Sequence, residues 1–289
     1  MKIPIPFVVG ARVTGLVVVS LLVSAGNLHS CTLWGASGKA ASGGTIMSKN
    51  RDWAPDHSQE LKMRRIVTGY AYFGLYAVGG TEPGLKAGVN EKGLSVITAA
   101  AGSIPKSLRD RQPGKQGVIS RLLSELASCD EVLAKKEEIF SRARAMFVMI
   151  ADRKKILVVE VGLDGKYALK TVEDGIAVHT NHFLERSLSE FNVKVGSSSA
   201  KRLQRITELM TMSPRPFTTE LFVAMSRDQN DGPDNSLWRT GKSSRTLASW
   251  IIEIPSHGDP KLRVMLANPG EPERTRDFVL NETFWKETP

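Results

Sequence analysis

The chain has 289 residues, of which 41% are hydrophobic, 39 are lysine or arginine, 30 are acidic and two are cysteine. That apolar share supports a packed core, and two cysteines exclude a disulfide-stapled miniprotein. The net charge of +9 is scattered over loops without aromatic interleaving, which argues against a nucleic-acid module.

The N-terminal thirty residues carry Lys2 and Arg12, an apolar run from Val13 to Ala25 and the small or polar ending SAGNLHS. This is the layout of a secretory signal, and the run is too short for a span of about 20 apolar residues. Residues 1–30 are read as a signal peptide with a short propeptide such as NLHS, and residues 31–289 as one catalytic domain. The expected protein is exported, periplasmic or secreted, with no stable membrane insertion once the signal is gone.

From Cys31 onward the pattern is largely strand. A glycine-rich hairpin, ASGKAASGGT, leads into TIMSKNRDW, and RRIVTGYAYFGLYAV is rich in β-branched and aromatic residues. GLKAGVNEKGLSVITAAAG reads as two strands around a tight NEKG turn, and IPKSLRDRQPGKQG as a loop. The apolar spacing of VISRLLSELASCDEVLAKKEEIF marks two helices, with SCD as the cap between them. A run of strands separated by charged or Asp-Gly turns extends from AMFVMIAD to HTNHF. SSSAKRLQRITELMTM and FTTELFVAMSRD are helical, a long polar loop follows, and TLASWIIEIP and LRVMLANP close as strands. This order lacks the alternation of a parallel sheet and predicts an α+β domain of antiparallel sheets covered by helices.

Cleavage before Cys31 would give one residue both a thiol and a free α-amine. The thiol titrates near ~8.5 and the amine near ~7.7–8.0, so the neutral amine can take the thiol proton and return it to a leaving nitrogen. A peptide nitrogen cannot act as a base, so processing and catalysis are coupled. A Cys31–Cys129 disulfide suits an oxidising compartment. A free thiol at Cys31 excludes that bond and makes Cys129 a small core residue on a helix, which is the preferred reading.

The mature start C-T, then SKNRDW, GVNEKGL, HTNHF and SSSAKRLQR, occur in an order that resembles the N-terminal-nucleophile (Ntn) hydrolases of the choloylglycine hydrolase and penicillin V acylase type. TNHF and its short gap to the SSxxxR stretch bring the resemblance closer to the acyl-coenzyme A:6-aminopenicillanic acid acyltransferase-like branch. The resemblance implies a four-layer αββα sandwich, a cysteine nucleophile, no cofactor and hydrolysis of a linear non-peptide amide through a thioester. It sets Cys31 as nucleophile, Asp52 as the carboxylate that orients the α-amine, Asn181 as side-chain oxyanion donor and Arg202 as the arginine near the sulfur. Two positions depart from the pattern. Lys49 stands where an arginine is usual, keeping the charge but losing the planar fork. Ala100 stands where an asparagine's backbone N–H completes the oxyanion hole. The implied partner is a small acyl amide, of bile-salt, penicillin V or N-acyl amino acid type; a homo-oligomer is compatible. Acyl transfer uses the same thioester.

Rival readings follow from other residues. LHSC is partly like a lipoprotein site, which would make Cys31 an acylated anchor of an exported binding protein, though His29 fits it badly. His179 and His182 lie three apart in a strand-to-loop segment and diverge, and no HExxH or CxxC pattern supports a metal. No G-x-S-x-G motif supports a serine hydrolase.

Overall fold

The fold is described from a computed structural model over residues 1, 30–80, 82–111 and 117–287. The signal-peptide assignment covers residues 1–30, of which 2–29 lie outside the described residues.

In chain order the strands are β1 (Cys31–Ser37), β2 (Thr45–Trp53), β3 (Ser58–Arg64), β4 (Tyr72–Val78), β5 (Gly84–Asn90) and β6 (Ser95–Ala100). Helices α1 (Lys106–Arg109), α2 (Val118–Glu125), α3 (Cys129–Ala134) and α4 (Lys136–Phe140) follow. Four more strands come next: β7 (Met146–Ala151), β8 (Ile156–Val161), β9 (Tyr167–Val172) and β10 (Gly175–His179). The chain continues through α5 (Ser197–Met212), α6 (Thr219–Ser226), β11 (Arg245–Ile254), β12 (Lys261–Leu266), β13 (Arg274–Val279) and α7 (Glu282–Glu287).

The strands form two antiparallel sheets, ordered β10-β1-β2-β11-β12-β13 and β3-β4-β5-β6-β7-β8-β9. Side-chain alternation along each strand gives each sheet two apolar faces. Leu33, Met47 and Trp250 from the first sheet meet Phe73, Ile97 and Phe147 from the second in the central core. Their sequence neighbours point outward: Trp34 and Ile251 pack with Ile206 of α5 and Phe222 of α6. On the far side, Val96 and Ile150 pack with Leu122 of α2 and Phe140 of α4. The result is the αββα sandwich that the family resemblance implies. Gly35 sets how closely the sheets approach: a Cβ there would lie 2.8 Å from Ile156 Cδ1 and 2.9 Å from the Ile46 carbonyl.

The strand predicted from Arg64 to Val78 divides. A Cβ on Gly69 would lie 2.6 Å from the Ser124 carbonyl oxygen, and Tyr70 N–H donates to that carbonyl at 2.8 Å, so this stretch docks on the end of α2 and cannot pair. The pairing is made instead by SQELKMR, an edge strand whose charges suit an exposed sheet border. Ser128 caps α3 by accepting from Glu131 N–H, and the second predicted helix breaks at Lys135 into α3 and α4. Both cysteines are free and buried.

Candidate active site

Cys31 opens β1, paired directly with Arg51 on β2. Alternation along SKNRDW then sorts the neighbouring residues. Lys49, Arg51 and Trp53 line a cavity of about 740 Å³ together with Cys31. Asn50 and Asp52 point the other way; Asn50 Nδ2 donates to the carbonyls of Ser226 and Leu237 beside α6. The thiol thus faces the space between the sheets while its backbone is handled from the outer side.

Burial pushes the Cys31 thiol up and the Asp52 carboxylate adds to that, but Lys49, Arg51 and the Asp52 backbone N–H outweigh both, so its pKa falls below the ordinary value. Lys49 is 1% exposed and donates to the Lys86 carbonyl at 2.9 Å and to the Thr98 carbonyl. Burial lowers its pKa to about 7, the Cys31 charge resisting and the Arg51 charge assisting. The Arg51 guanidinium lies 4.0 Å over the Trp53 ring and 3.3 Å from His57 Nε2. Arg51 is absent from the sequence-derived site, although the two-residue repeat of a strand puts it on the same face as Lys49.

On the outer side, Cys31 N–H donates to Asn181 Oδ1 at 3.0 Å. Arg202 donates to the Cys31 carbonyl at 2.8 Å, to Thr32 Oγ1 at 2.7 Å and to Asn181 Oδ1 at 3.0 Å. The guanidinium expected beside the sulfur therefore grips the backbone of the cysteine, and the cations that favour the thiolate are Lys49 and Arg51. Asn181 is itself fixed at both ends: Ser199 Oγ accepts from its backbone N–H at 2.9 Å, and its Nδ2 donates to the Ala100 carbonyl at 3.0 Å. One Nδ2 hydrogen remains for another acceptor. Ala100 closes β6 and lines the cavity.

Asp52 is fully buried. Its Oδ1 accepts from Thr246 Oγ1 at 2.7 Å, and Oδ2 has no hydrogen-bond partner among the described residues. Burial raises its pKa to about 6 against the pull of Arg202 and Arg239. Thr246 and Arg239 come from the C-terminal third, where the sequence offered no motif. Thr246 reaches the site because β11 pairs with β2 in the middle of the first sheet, and Arg239 is tied to it: its N–H donates to Thr246 Oγ1 at 2.8 Å and its carbonyl accepts from Thr246 N–H at 3.0 Å.

His179 is bound to Glu160 at 3.0 Å in the core, and His182 to Ser199 Oγ at 2.8 Å. Among the described residues no group of three or more His, Cys, Asp or Glu side chains could hold a metal. No described helix is long and apolar enough to cross a membrane.

No curated protein sequence matches the chain significantly. Among solved structures, a mutant of the conjugated bile acid hydrolase from Clostridium perfringens superposes with a TM-score of 0.52 at 13% identity, covering 86% of this chain and 92% of that one. The Caenorhabditis elegans N-acylethanolamine-hydrolyzing acid amidase ortholog superposes with a TM-score of 0.51 at 16% identity, covering 78% and 94%. At such identities the likeness establishes the Ntn hydrolase fold. In sequence, the family model of acyl-coenzyme A:6-aminopenicillanic acid acyl-transferase matches residues 40–271, from the hairpin after β1 to the turn after β12. That span covers most of the chain, and the protein belongs to the acyl-coenzyme A:6-aminopenicillanic acid acyl-transferase family.

Proposed function

We propose that the protein is an exported Ntn cysteine amidohydrolase that cleaves a linear acyl amide through a thioester on Cys31. The observation that carries this reading is the division of labour at Cys31. Its thiol meets Lys49 and Arg51 in a cavity, while its nitrogen and carbonyl are held by Asn181 and Arg202.

Removal of the residues before Cys31 turns its peptide nitrogen into an amine. The amine takes the thiol proton, and sulfur attacks the amide carbonyl. The oxyanion is met by the free Nδ2 hydrogen of Asn181 and a backbone N–H near Ala100; such donors are worth ~2.7–4 kcal/mol each. The α-ammonium, held by Asn181 Oδ1 and in the field of the buried Asp52 carboxylate, gives its proton to the departing amine. Water then attacks the thioester and releases the acid. The activities for which the structural relatives are named, hydrolysis of conjugated bile acids and of N-acylethanolamines, fit this class of reaction. The family's name favours a second reading, in which an amine rather than water takes the acyl group from the same thioester.

The test is the intact mass of the secreted protein with and without a thiol-directed acylating probe. An N-terminal Cys31 carrying one acyl group is the expected result. Residues left before Cys31, or lipid on it, would remove the proton carrier and end the proposal.

A further inference from the structure

The two histidines of HTNHF take no part in the chemistry described at Cys31, yet the residues around them converge on Asn181. Asn181 sits between Thr180, which is fully buried, and His182, which is half-buried. All three residues reach one atom, the Ser199 hydroxyl oxygen on α5. The Asn181 backbone N–H donates to it at 2.9 Å, Thr180 Oγ1 lies 3.0 Å from it and His182 Nδ1 2.8 Å. On the far side of this knot, Glu160 on β8 accepts from the N–H groups of Leu184 and Glu185 and pairs with His179. Neither His182 nor Ser199 belongs to the described lining of the Cys31 cavity. An effect of either on the reaction therefore passes through Asn181, which bonds to Cys31 and to Ala100 of that lining.

The Ser199 hydroxyl has one hydrogen and two lone pairs. The Asn181 N–H takes one lone pair, and Thr180 gives its own hydrogen to the Ser199 carbonyl at 3.1 Å. When His182 is neutral and accepts at Nδ1, the Ser199 hydrogen goes to the ring. A hydroxyl that donates in this way is polarised into a stronger acceptor for the Asn181 N–H. A protonated His182 reverses the arrangement. Its Nδ1–H must donate to Ser199 Oγ, the Ser199 hydrogen turns to Thr180 Oγ1, and the ring competes with Asn181 for the same oxygen. Burial lowers the His182 pKa, helped by His179 on β10 and Arg202 on α5 and opposed by Glu160 on β8.

We propose that His182 is a positioning residue acting through Ser199: its neutral ring orders the hydroxyl that holds the Asn181 backbone, and so aims the free Asn181 Nδ2 hydrogen at the oxyanion. The inference rests on Cys31 being the nucleophile and Asn181 its oxyanion donor. It adds a requirement on a residue outside the cavity: protonation of His182 slackens Asn181 while the thiol keeps its neighbours.

The test compares two reactions of Cys31 in the processed protein. Acylation by para-nitrophenyl butyrate passes through an oxyanion. Alkylation by iodoacetamide displaces iodide at a saturated carbon and forms none. The nitrophenolate leaves without a proton, so the α-amine and Asp52 bear on both reactions alike. Ser199→Ala and His182→Leu should slow acylation on the order of tenfold, the scale of one hydrogen bond, and leave alkylation within about twofold of native. His182→Asn, whose amide oxygen lies near the place of Nδ1 and does not titrate, should restore acylation. In the native protein the ratio of acylation to alkylation should fall as pH drops from about 7 to about 5, and in His182→Asn it should stay level. Equal slowing of both reactions in Ser199→Ala and His182→Leu overturns the inference. A native ratio that is flat with pH does so as well, and decides the matter even where a variant does not fold. If native Cys31 takes no acyl group from the ester, the nucleophile itself is refuted, the proposed function fails and this inference falls with it.

Discussion

Thr246 Oγ1 donates to Asp52 Oδ1 at 2.7 Å, joining residues 194 positions apart across the β2–β11 pair. That bond lowers the Asp52 pKa while burial raises it, with a net value of about 6 against an ordinary 3.8. Between these values the folded chain keeps a proton that the unfolded chain releases, so this group's contribution to stability falls as pH rises through that window. Thr246→Val removes one of the restraints and moves the pKa further up. The acid limb of kcat/KM should shift to higher pH in this variant, and an unmoved limb would remove Asp52 from the mechanism.

Cys31 and Cys129 should differ sharply in reactivity. The first has a lowered pKa beside two cations, whereas burial and the Asp152 charge push the second far up. Titration with a disulfide reagent at neutral pH should count one fast thiol in the native protein and two after denaturation. Two fast native thiols would contradict the assigned environments.

Lys49→Met removes a charge next to the sulfur, and Lys49→Arg restores it. The pH–rate profile for alkylation of Cys31 should move to higher pH in the Met variant by about a unit or more, the scale of a nearby opposite charge. The Arg variant should lie near or below the native profile. Because Lys49 itself loses its proton near pH 7, its help to the thiolate fades above that pH while Arg51 persists. Identical profiles for all three proteins would show that Lys49 has no hold on the nucleophile.

Asn181→Asp separates the two uses of that side chain. The acceptor for Cys31 N–H and Arg202 survives, but the Nδ2 donor is lost and an oxygen faces the Ala100 carbonyl. Turnover should fall ~10²–10³-fold, as for loss of one oxyanion donor. Alkylation of Cys31 should change far less, and loss of both in step would assign Asn181 to positioning alone.

The strands were legible wherever apolar residues alternate or run unbroken, as in VITAAA and ASWIIEI, and so were the cap at Ser128 and the layer order. SQELKMR was not, because an edge strand is held by backbone pairing and carries no apolar signature. At the site, Cys31, Asp52, Asn181 and Arg202 come together, since short motifs carry them. Arg51 was within reach of strand periodicity. Thr246 and Arg239 were not: each gains its place only when distant segments pair or pack, and nothing in their local sequence records that partner.

Lys49 springs from β2, yet the carbonyls that hold its ammonium belong to β5 and β6 of the opposite sheet. One side chain thus rivets the two halves of the sandwich at the spot where the sulfur lies. Gentle warming that slides the halves apart would dim the nucleophile before the chain melts, so heat inactivation should run ahead of the loss of circular dichroism.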